Sequence, residues 1–342
     1  MDQAHAPAPA APAVSGSRGQ RWSGVLVALA AYLLLPLQSP FIRVLPIDNT
    51  LVLLLPLLAS CFVVGWWMGG RVSLAVVWIG LAAYVLTRPP VPGATAYYDV
   101  SRAWGLLMAG SFGLVCVAGS RASFLSRALS AVGIATGLVL SLALLGELDP
   151  GRVNAIFGEQ FAARRSLINL AIPGLGTPAD GDVAATLPQV MRVASLLATP
   201  IVPAMLALQA VAAAALAWAL YHRLSRTRVG APLGRLRDFR FNDQLIWGLV
   251  VGITILVLPT LASLRAFGGN LVIFFGVLYV LRGLAVMTFL TSLGGTSLRV
   301  LAVVLGVLFL PITPALAFGL GVGDTWFDLR GKVPPGTTPS TN

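Results

Sequence analysis

The chain has 342 residues, of which 57% are hydrophobic and 10% are charged, and its mean hydropathy is +0.86. Soluble domains carry about 25% charged residues, so this composition excludes a water-soluble globular protein. The net charge of +11 does not indicate binding to nucleic acid, because the arginines lie mostly between apolar segments, where they act as topology signals and contacts for anionic lipid.

The predicted elements begin after residues 1–22, whose Ala, Pro and Ser content indicates a disordered tail. Apolar segments of about 20 residues then recur, each long enough to cross a hydrocarbon core of about 30 Å. We predict an all-α, polytopic transmembrane helix bundle of eight to nine spans, built as one domain over residues 23–330 and followed by a second disordered tail, 331–342. The candidate spans are 24–41, 50–69, 72–87, 103–119, 128–146, 199–221, 244–264, 270–293 and 298–321.

Residues 148–197 hold several charges and only short apolar runs, so they cannot span. We expect an external loop that carries surface helices near 155–170 and 190–197.

The segment 222–243 contains six arginines, and by the positive-inside rule it is a cytoplasmic loop. Counting back through six spans puts the N-terminus on the cytoplasmic side as well. Counting forward through three spans would leave Arg330 and Lys332 outside, which the same rule disfavours. One apolar segment is therefore a candidate for a non-spanning piece: the last, broken by Pro311 and Pro314, or the first, broken by Pro36.

Small residues four apart let two helix backbones approach closely. Three such pairs occur: Gly65 and Gly69, Gly133 and Gly137, Gly248 and Gly252. Because the chain contains 36 glycines, each pair is either a packing contact or a chance spacing.

Arg282 lies near the middle of the predicted span 270–293, where a cation costs about 2.5 to 3.5 kcal/mol. Three interpretations are open. The side chain snorkels or bonds to backbone carbonyls, it pairs with Glu147 or Asp149 at a span end, or it faces a cavity and binds an anionic substrate. Asn270, Gln209 and Thr254 lie in or near late spans and are candidates to line the same cavity, although interhelical hydrogen bonding is the commoner use of such groups.

Pro200, Pro203 and Pro259 interrupt late spans. Broken helices expose backbone groups to substrates in transporters, whereas simple kinks are the alternative. The chain shows no nucleophile elbow, no phosphate-binding loop, no histidine constellation and no cysteine framework, so we predict no enzyme activity, no metal and no cofactor.

The C-terminal third resembles a known family. It runs from PLGRLRDFRFNDQLIWGLVVG through GGNLVIFFGVLYVLRGLAVMTF to GLGVGDTWFDLRGK. This order is similar to that of the YybS-like family of bacterial membrane proteins, domain of unknown function 2232. The positions that match its motif are Asn270, Gly283, Asp324, Asp328 and Arg330. For these positions, helix packing and a salt bridge at a helix end are the alternative to a ligand role.

The resemblance implies a polytopic protein of the bacterial inner membrane, grouped with the substrate-binding subunits of energy-coupling-factor vitamin transporters. The leading hypothesis is a transport-related component, for substrate capture or permeation, without its own ATPase. A cytoplasmic or membrane protein partner would dock on the basic loop from Arg223 to Arg240, where anionic lipid is the other candidate ligand. The alternative is a non-transporting membrane scaffold in envelope biogenesis or cell division.

Overall fold

The structure is a computed structural model, and it describes residues 22–38, 50–90, 94–119, 122–171, 182–293, 295–309 and 312–332. Both predicted tails lie almost entirely outside these ranges. Within them the chain is all-α, as predicted, and contains no strand. The helices are α1 (Trp22–Gln38), α2 (Thr50–Trp67), α3 (Val72–Thr87), α4 (Thr95–Ala118), α5 (Phe124–Leu144), α6 (Pro150–Ala171), α7 (Asp182–Leu224), α8 (Ile246–Val257), α9 (Arg265–Leu293), α10 (Gly295–Leu308) and α11 (Thr313–Phe327).

Five stretches of the described chain are long and apolar enough to cross a membrane: α2, α4, α5, Ile201–Leu224 of α7, and Pro259–Leu293, which includes α9. Three shorter apolar helices, over Trp22–Leu34, Val72–Thr87 and Asp243–Val257, accompany them. The protein is therefore a multi-pass membrane protein, and the total of eight to nine spans remains a prediction.

Helix α7 is the centre of the first half of the bundle. Four of its alanines, Ala210, Ala213, Ala214 and Ala217, are fully buried. Small side chains at these positions let neighbouring helix backbones approach closely. Directly after Ala217, Trp218 packs edge-to-face against Phe112 of α4, and its indole N–H donates to the Ala231 carbonyl at 3.0 Å. These contacts hold the start of the basic loop against the bundle.

The region predicted as an external loop is helical at both predicted positions. The stretch 155–170 lies in α6, and 190–197 lies within α7, which is continuous for 43 residues. At 1.5 Å per residue α7 is about 64 Å long, about twice the thickness of a hydrocarbon core. Only its second part, Ile201–Leu224, has the composition of a span. The external location of the remainder remains a prediction.

Two short helices pack along opposite halves of the long helix α9. The 12-residue α8 crosses the first half, where Gly248 contacts Phe275 and Gly252 lies against Gly268 and Val272. The 15-residue α11 crosses the second half, where Gly283 meets the Ala317 backbone and Gly321 meets the Tyr279 carbonyl. The start of α8 and the end of α11 therefore both lie near Arg282, which contacts Asp243 before α8 and Asp324 in α11.

The glycine pairs divide accordingly. Gly248 and Gly252 form a helix contact, whereas no atom of the described residues outside their own helix lies within 4 Å of a Cβ placed on Gly133 or Gly137. In the remaining pair, Gly65 packs against the Tyr221 ring, and Gly69 has a φ of +91° in the turn after α2. Spacing alone cannot separate these cases, because it does not say which face of a helix a neighbour covers.

The apolar segment predicted as a last span, 298–321, is divided between α10 and α11, of 14 and 15 residues. Each is shorter than the about 20 residues that a helix needs to cross a bilayer. Pro314 is the second residue of α11 and lies in its first turn, where the missing N–H of proline is tolerated.

Candidate functional site

The buried charges of the second half converge on Arg282, whose side chain is only 4% exposed. Its Nη1 donates to Asp243 Oδ1 at 2.6 Å, and its Nε donates to Asp324 Oδ2 at 3.0 Å. The guanidinium also lies over the Phe241 ring, 5.2 Å from its centroid. The carboxylate partners are thus Asp243 and Asp324, and the predicted pairing with Glu147 or Asp149 is wrong. Those two residues follow α5, at the end of the bundle opposite to the basic loop.

Asp324 is the most buried carboxylate of the described chain, with 1% exposure, and it accepts from a second arginine. Arg330 Nη2 donates to the same Oδ2 atom at 2.8 Å. Arg330 Nη1 donates to the carbonyls of Arg237 and Phe239, at 3.2 and 3.0 Å. We call Arg282, Asp324, Arg330 and Asp243 the ionic cluster; the first three are buried, whereas the Asp243 side chain is 61% exposed.

The residues that position the ionic cluster come from three places in the sequence. The close crossing of α9 and α11 at Gly283 and Gly321 brings Asp324 to Arg282. The short turn Asp243–Leu245, capped by the Asn242 side chain, begins the approach to α8 and presents Asp243. The segment after α11 then turns back through Asp328, whose φ is +40°, and delivers Arg330.

A second ion pair ties the same segment to the basic loop at the surface. Arg240 Nη2 and Asp328 Oδ1 are 2.6 Å apart, and both side chains are about half exposed. Together with the two hydrogen bonds from Arg330, this pair holds residues 328–332 against residues 237–243. The end of the described chain therefore lies beside the basic loop.

The charges of the ionic cluster balance, because two arginines face two aspartates. An anion that bound to Arg282 would have to displace one of these carboxylates. Two polar atoms of the cluster, Asp324 Oδ1 and Arg330 Nε, are buried without a hydrogen-bond partner in the described chain. Removal of one member of a buried arginine–aspartate pair leaves an uncompensated buried charge. This loss costs far more free energy than the intact ion pair contributes.

The other candidate substrate residues are not assembled around Arg282. Asn270 lies 12 residues earlier on α9, about 18 Å along the helix axis. Its Oδ1 accepts from the Ala204 N–H of α7 at 2.8 Å, so it links two helices. Thr254 is exposed and donates to Val250 of its own helix, and Gln209 lies on α7 beside Tyr32 of α1. The role of these three residues in substrate binding stays a prediction.

Four of the five family-motif positions, all except Asn270, come together. Gly283 makes the closest helix crossing, Asp324 and Arg330 belong to the ionic cluster, and Asp328 forms the surface pair. Sequence reasoning missed Asp243, an acidic residue that ends an arginine-rich loop directly before an apolar segment.

Arg127 was also missed. It lies in the first turn of α5 and is 1% exposed, and its Nη1 donates to the Val229 carbonyl at 3.3 Å. Its guanidinium stands 5.2 Å from the Trp218 ring. A charge at the first turn of a predicted span carries no sequence signal that separates burial from exposure.

These features define the class of protein: a helical, multi-pass membrane protein with a charge-balanced ionic cluster inside its second half. The chain matches the family model described as "Predicted membrane protein (DUF2232)" over residues 106–325, so it belongs to that family. This confirms the resemblance of the C-terminal third to domain of unknown function 2232 and extends it towards the N-terminus, whereas the YybS-like name and the grouping with energy-coupling-factor transporters stay predictions; Asp328 and Arg330 lie just beyond the matched range. No curated protein and no solved structure matches the chain.

Proposed function

We propose that the protein is a transport-type component of the bacterial cytoplasmic membrane, one that captures or passes a substrate without an ATPase of its own. The observation that carries the proposal is the pair of short helices, of which α8 begins and α11 ends beside the ionic cluster, whose central Arg282 is buried on the continuous helix α9. Discontinuous helices are a recurring device of secondary transporters. Ionisable residues inside membrane segments are costly, and they commonly mark substrate or ion pathways.

In this proposal the ionic cluster holds α8 and α11 in one arrangement and does not itself bind an anionic substrate. We call this role the lock. Arg282 joins the turn before α8, through Asp243, to the end of α11, through Asp324. Movement of α8 relative to α11 would break one ion pair and keep the other. Such an exchange between two arrangements is what a gated pathway needs.

Energy would come from an ion gradient or from a partner protein, as in the energy-coupling-factor transporters that the resemblance implies. The partner would dock at the distal half of the basic loop, where Arg235 and Leu236 are exposed. The N-terminus and this loop would then face the cytoplasm.

The test is a ligand screen on the purified protein. Vitamins and small metabolites, both neutral and anionic, are added singly, and the melting temperature is measured, because a ligand that binds only the native state raises it. Hits are then assayed for uptake into proteoliposomes under proton or sodium gradients. We expect at least one compound to stabilise the wild type and to be taken up.

Arg265→Gln is the matched control for Arg282→Gln, since Arg265 is an exposed arginine on the same helix. Uptake should persist in Arg265→Gln and fall at least tenfold in Arg282→Gln at equal amounts of folded protein. Equal uptake in the two variants would contradict the lock, and a screen without any stabilising or transported compound would contradict transport.

A scaffold is the second candidate function, and the low exposure and complete charge pairing of Arg282 favour it. A scaffold would show neither ligand stabilisation nor uptake. It would instead co-purify with the same membrane proteins from cross-linked cells whether Arg282 or Gln occupies position 282.

A further inference from the structure

A patch of arginines that are far apart in sequence forms where the turn after α2 meets the end of α7. Gly70 in that turn lies against Thr227, since a Cβ on Gly70 would be 3.2 Å from Thr227 Oγ1. The Tyr221 hydroxyl donates to the Thr227 carbonyl at 2.7 Å and fixes this segment. Arg71 follows Gly70, and Arg226 and Arg228 flank Thr227, so the contact places the three arginines around one point. We call them the arginine patch.

None of the carboxylates that the structure describes neutralises the arginine patch. The four aspartates that the structure describes near the basic loop all have arginine partners: Asp238 pairs with Arg237, Asp243 and Asp324 with Arg282, and Asp328 with Arg240. The sequence contains no acidic residue between positions 50 and 98 or between 183 and 237. All three side chains of the patch are exposed. The patch therefore carries a local excess of three positive charges.

Tryptophans place this patch at the level of lipid headgroups. Trp66 and Trp67 end α2 directly before the turn, and their exposed fractions are 47% and 79%. At the same end of the bundle, half-exposed Trp22 starts α1 and lies under the Arg223 guanidinium, 5.7 Å from ring centroid to Cζ. Exposed tryptophans at the ends of apolar helices are typical of the membrane–water interface. A soluble acidic partner would not require exposed tryptophans beside the arginine patch.

We propose that Arg71, Arg226 and Arg228 form a binding site for the phosphate headgroup of an anionic phospholipid, with Trp67 packed against the glycerol and upper acyl region. Guanidinium groups bind phosphate through paired, charge-assisted hydrogen bonds, and an arginine near an anionic membrane surface contributes about a fivefold gain in affinity. Because the site bridges the α2–α3 turn and the end of α7, a bound lipid stabilises the folded bundle. This site does not depend on the proposed transport function.

The experiment measures lipid-dependent stabilisation of the full chain in a neutral detergent. The melting temperature is recorded with added phosphatidylglycerol, with phosphatidylcholine at the same mole fraction, with inorganic phosphate and with poly-glutamate. We expect phosphatidylglycerol to raise the melting temperature well above the other three additions, and high salt to reduce the rise. Native mass spectrometry should show retained phosphatidylglycerol.

The test variant replaces Arg71, Arg226 and Arg228 with Gln, and the matched control replaces three exposed arginines of the opposite end, Arg88, Arg152 and Arg265. Both triple variants remove three charges. The stabilisation by phosphatidylglycerol should be lost in the patch variant and kept in the control, with lipid retention at least tenfold lower in the patch variant. Equal responses of the two variants, equal effects of both lipids, or an equal effect of inorganic phosphate would overturn the proposal. Stabilisation by poly-glutamate alone would assign the patch to an acidic protein instead.

Discussion

The contribution of each aspartate near the basic loop to stability depends on its burial as well as on its arginine partner. Asp324 is 1% exposed between two arginines, whereas the Asp328 side chain is 61% exposed with one. Exposed ion pairs contribute about 0 to 1 kcal/mol, because water competes for both charges and the side chains lose freedom. Loss of one member of a buried pair costs about 3 to 5 kcal/mol. Asp324 and Asp328 are four residues apart in sequence, yet we expect their contributions to the free energy of unfolding to differ greatly.

Asp324→Asn should lower the free energy of unfolding by about 3 to 5 kcal/mol, because Arg282 and Arg330 then remain buried with one carboxylate fewer. Asp328→Asn, the matched control, should change it by less than about 1 kcal/mol. Thermal and denaturant unfolding in detergent measure both. Similar losses in the two variants would show that burial does not set the strength of these pairs.

Asn270 is the other residue whose role can be isolated. Asn270→Ala removes the acceptor of the Ala204 N–H and should destabilise the protein by about 0.6 kcal/mol, the average for interhelical hydrogen bonds in membranes, and by no more than about 1.7 kcal/mol. Thr254→Ala should have almost no effect, because its hydroxyl bonds only within α8. The melting temperatures of the two variants test this difference. A larger decrease for Thr254→Ala than for Asn270→Ala would contradict the interhelical role of Asn270.

At the scale of elements, the arrangement depends on how closely α9 and α11 cross. Their backbones touch at Gly283 and Gly321, and this contact delivers Asp324 to Arg282. The same helix α9 carries Gly276, around which a Cβ would find open space. Substitution of Gly276 therefore tests helix propensity alone, whereas substitution of Gly283 also tests the packing of α11.

Gly283→Ala should strongly reduce the yield and melting temperature of folded protein, because its Cβ would overlap the Ala317 carbonyl and force α11 away. Gly276→Ala should be neutral, or should stabilise by up to about 1 kcal/mol through its higher helix propensity. Size-exclusion profiles and thermal unfolding measure both. A tolerated Gly283→Ala variant would mean that the crossing is looser than the structure has it.

At the scale of the whole molecule, three segments lie at one end of the bundle. Trp22 at the start of α1 meets Arg223, the turn after α2 meets Thr227, and Arg330 bonds to the carbonyls of Arg237 and Phe239. Because residues 328–332 return to the basic loop, we expect Arg330 and Lys332 to share the loop's side of the membrane, which three full spans after the loop would not allow.

Topology reporters fused after Lys332 and inserted in the basic loop near Gly234 should therefore report the same compartment, and by the positive-inside rule this is the cytoplasm. A reporter inserted between α5 and α6 should report the opposite compartment and serves as the control. Opposite results for the first two positions would contradict the packing of Arg330 on the loop.

The sequence by itself determined the environment and the secondary structure. Twenty-residue apolar segments with few charges leave the backbone no option in lipid except to form helices, so the all-α, multi-pass class could be predicted. The prolines of the last segment also indicated its division, and the arginine-rich loop was recognisable from its charges alone.

Only the tertiary structure decided how these parts meet. The partners of Arg282 lie 39 and 42 residues away, and the patch joins Arg71 to Arg226 across more than 150 positions. Helix periodicity reports which residues share a face but not which neighbour covers it. The glycine crossings, set by backbone fit over the whole bundle, choose the neighbour and with it the ion pairs.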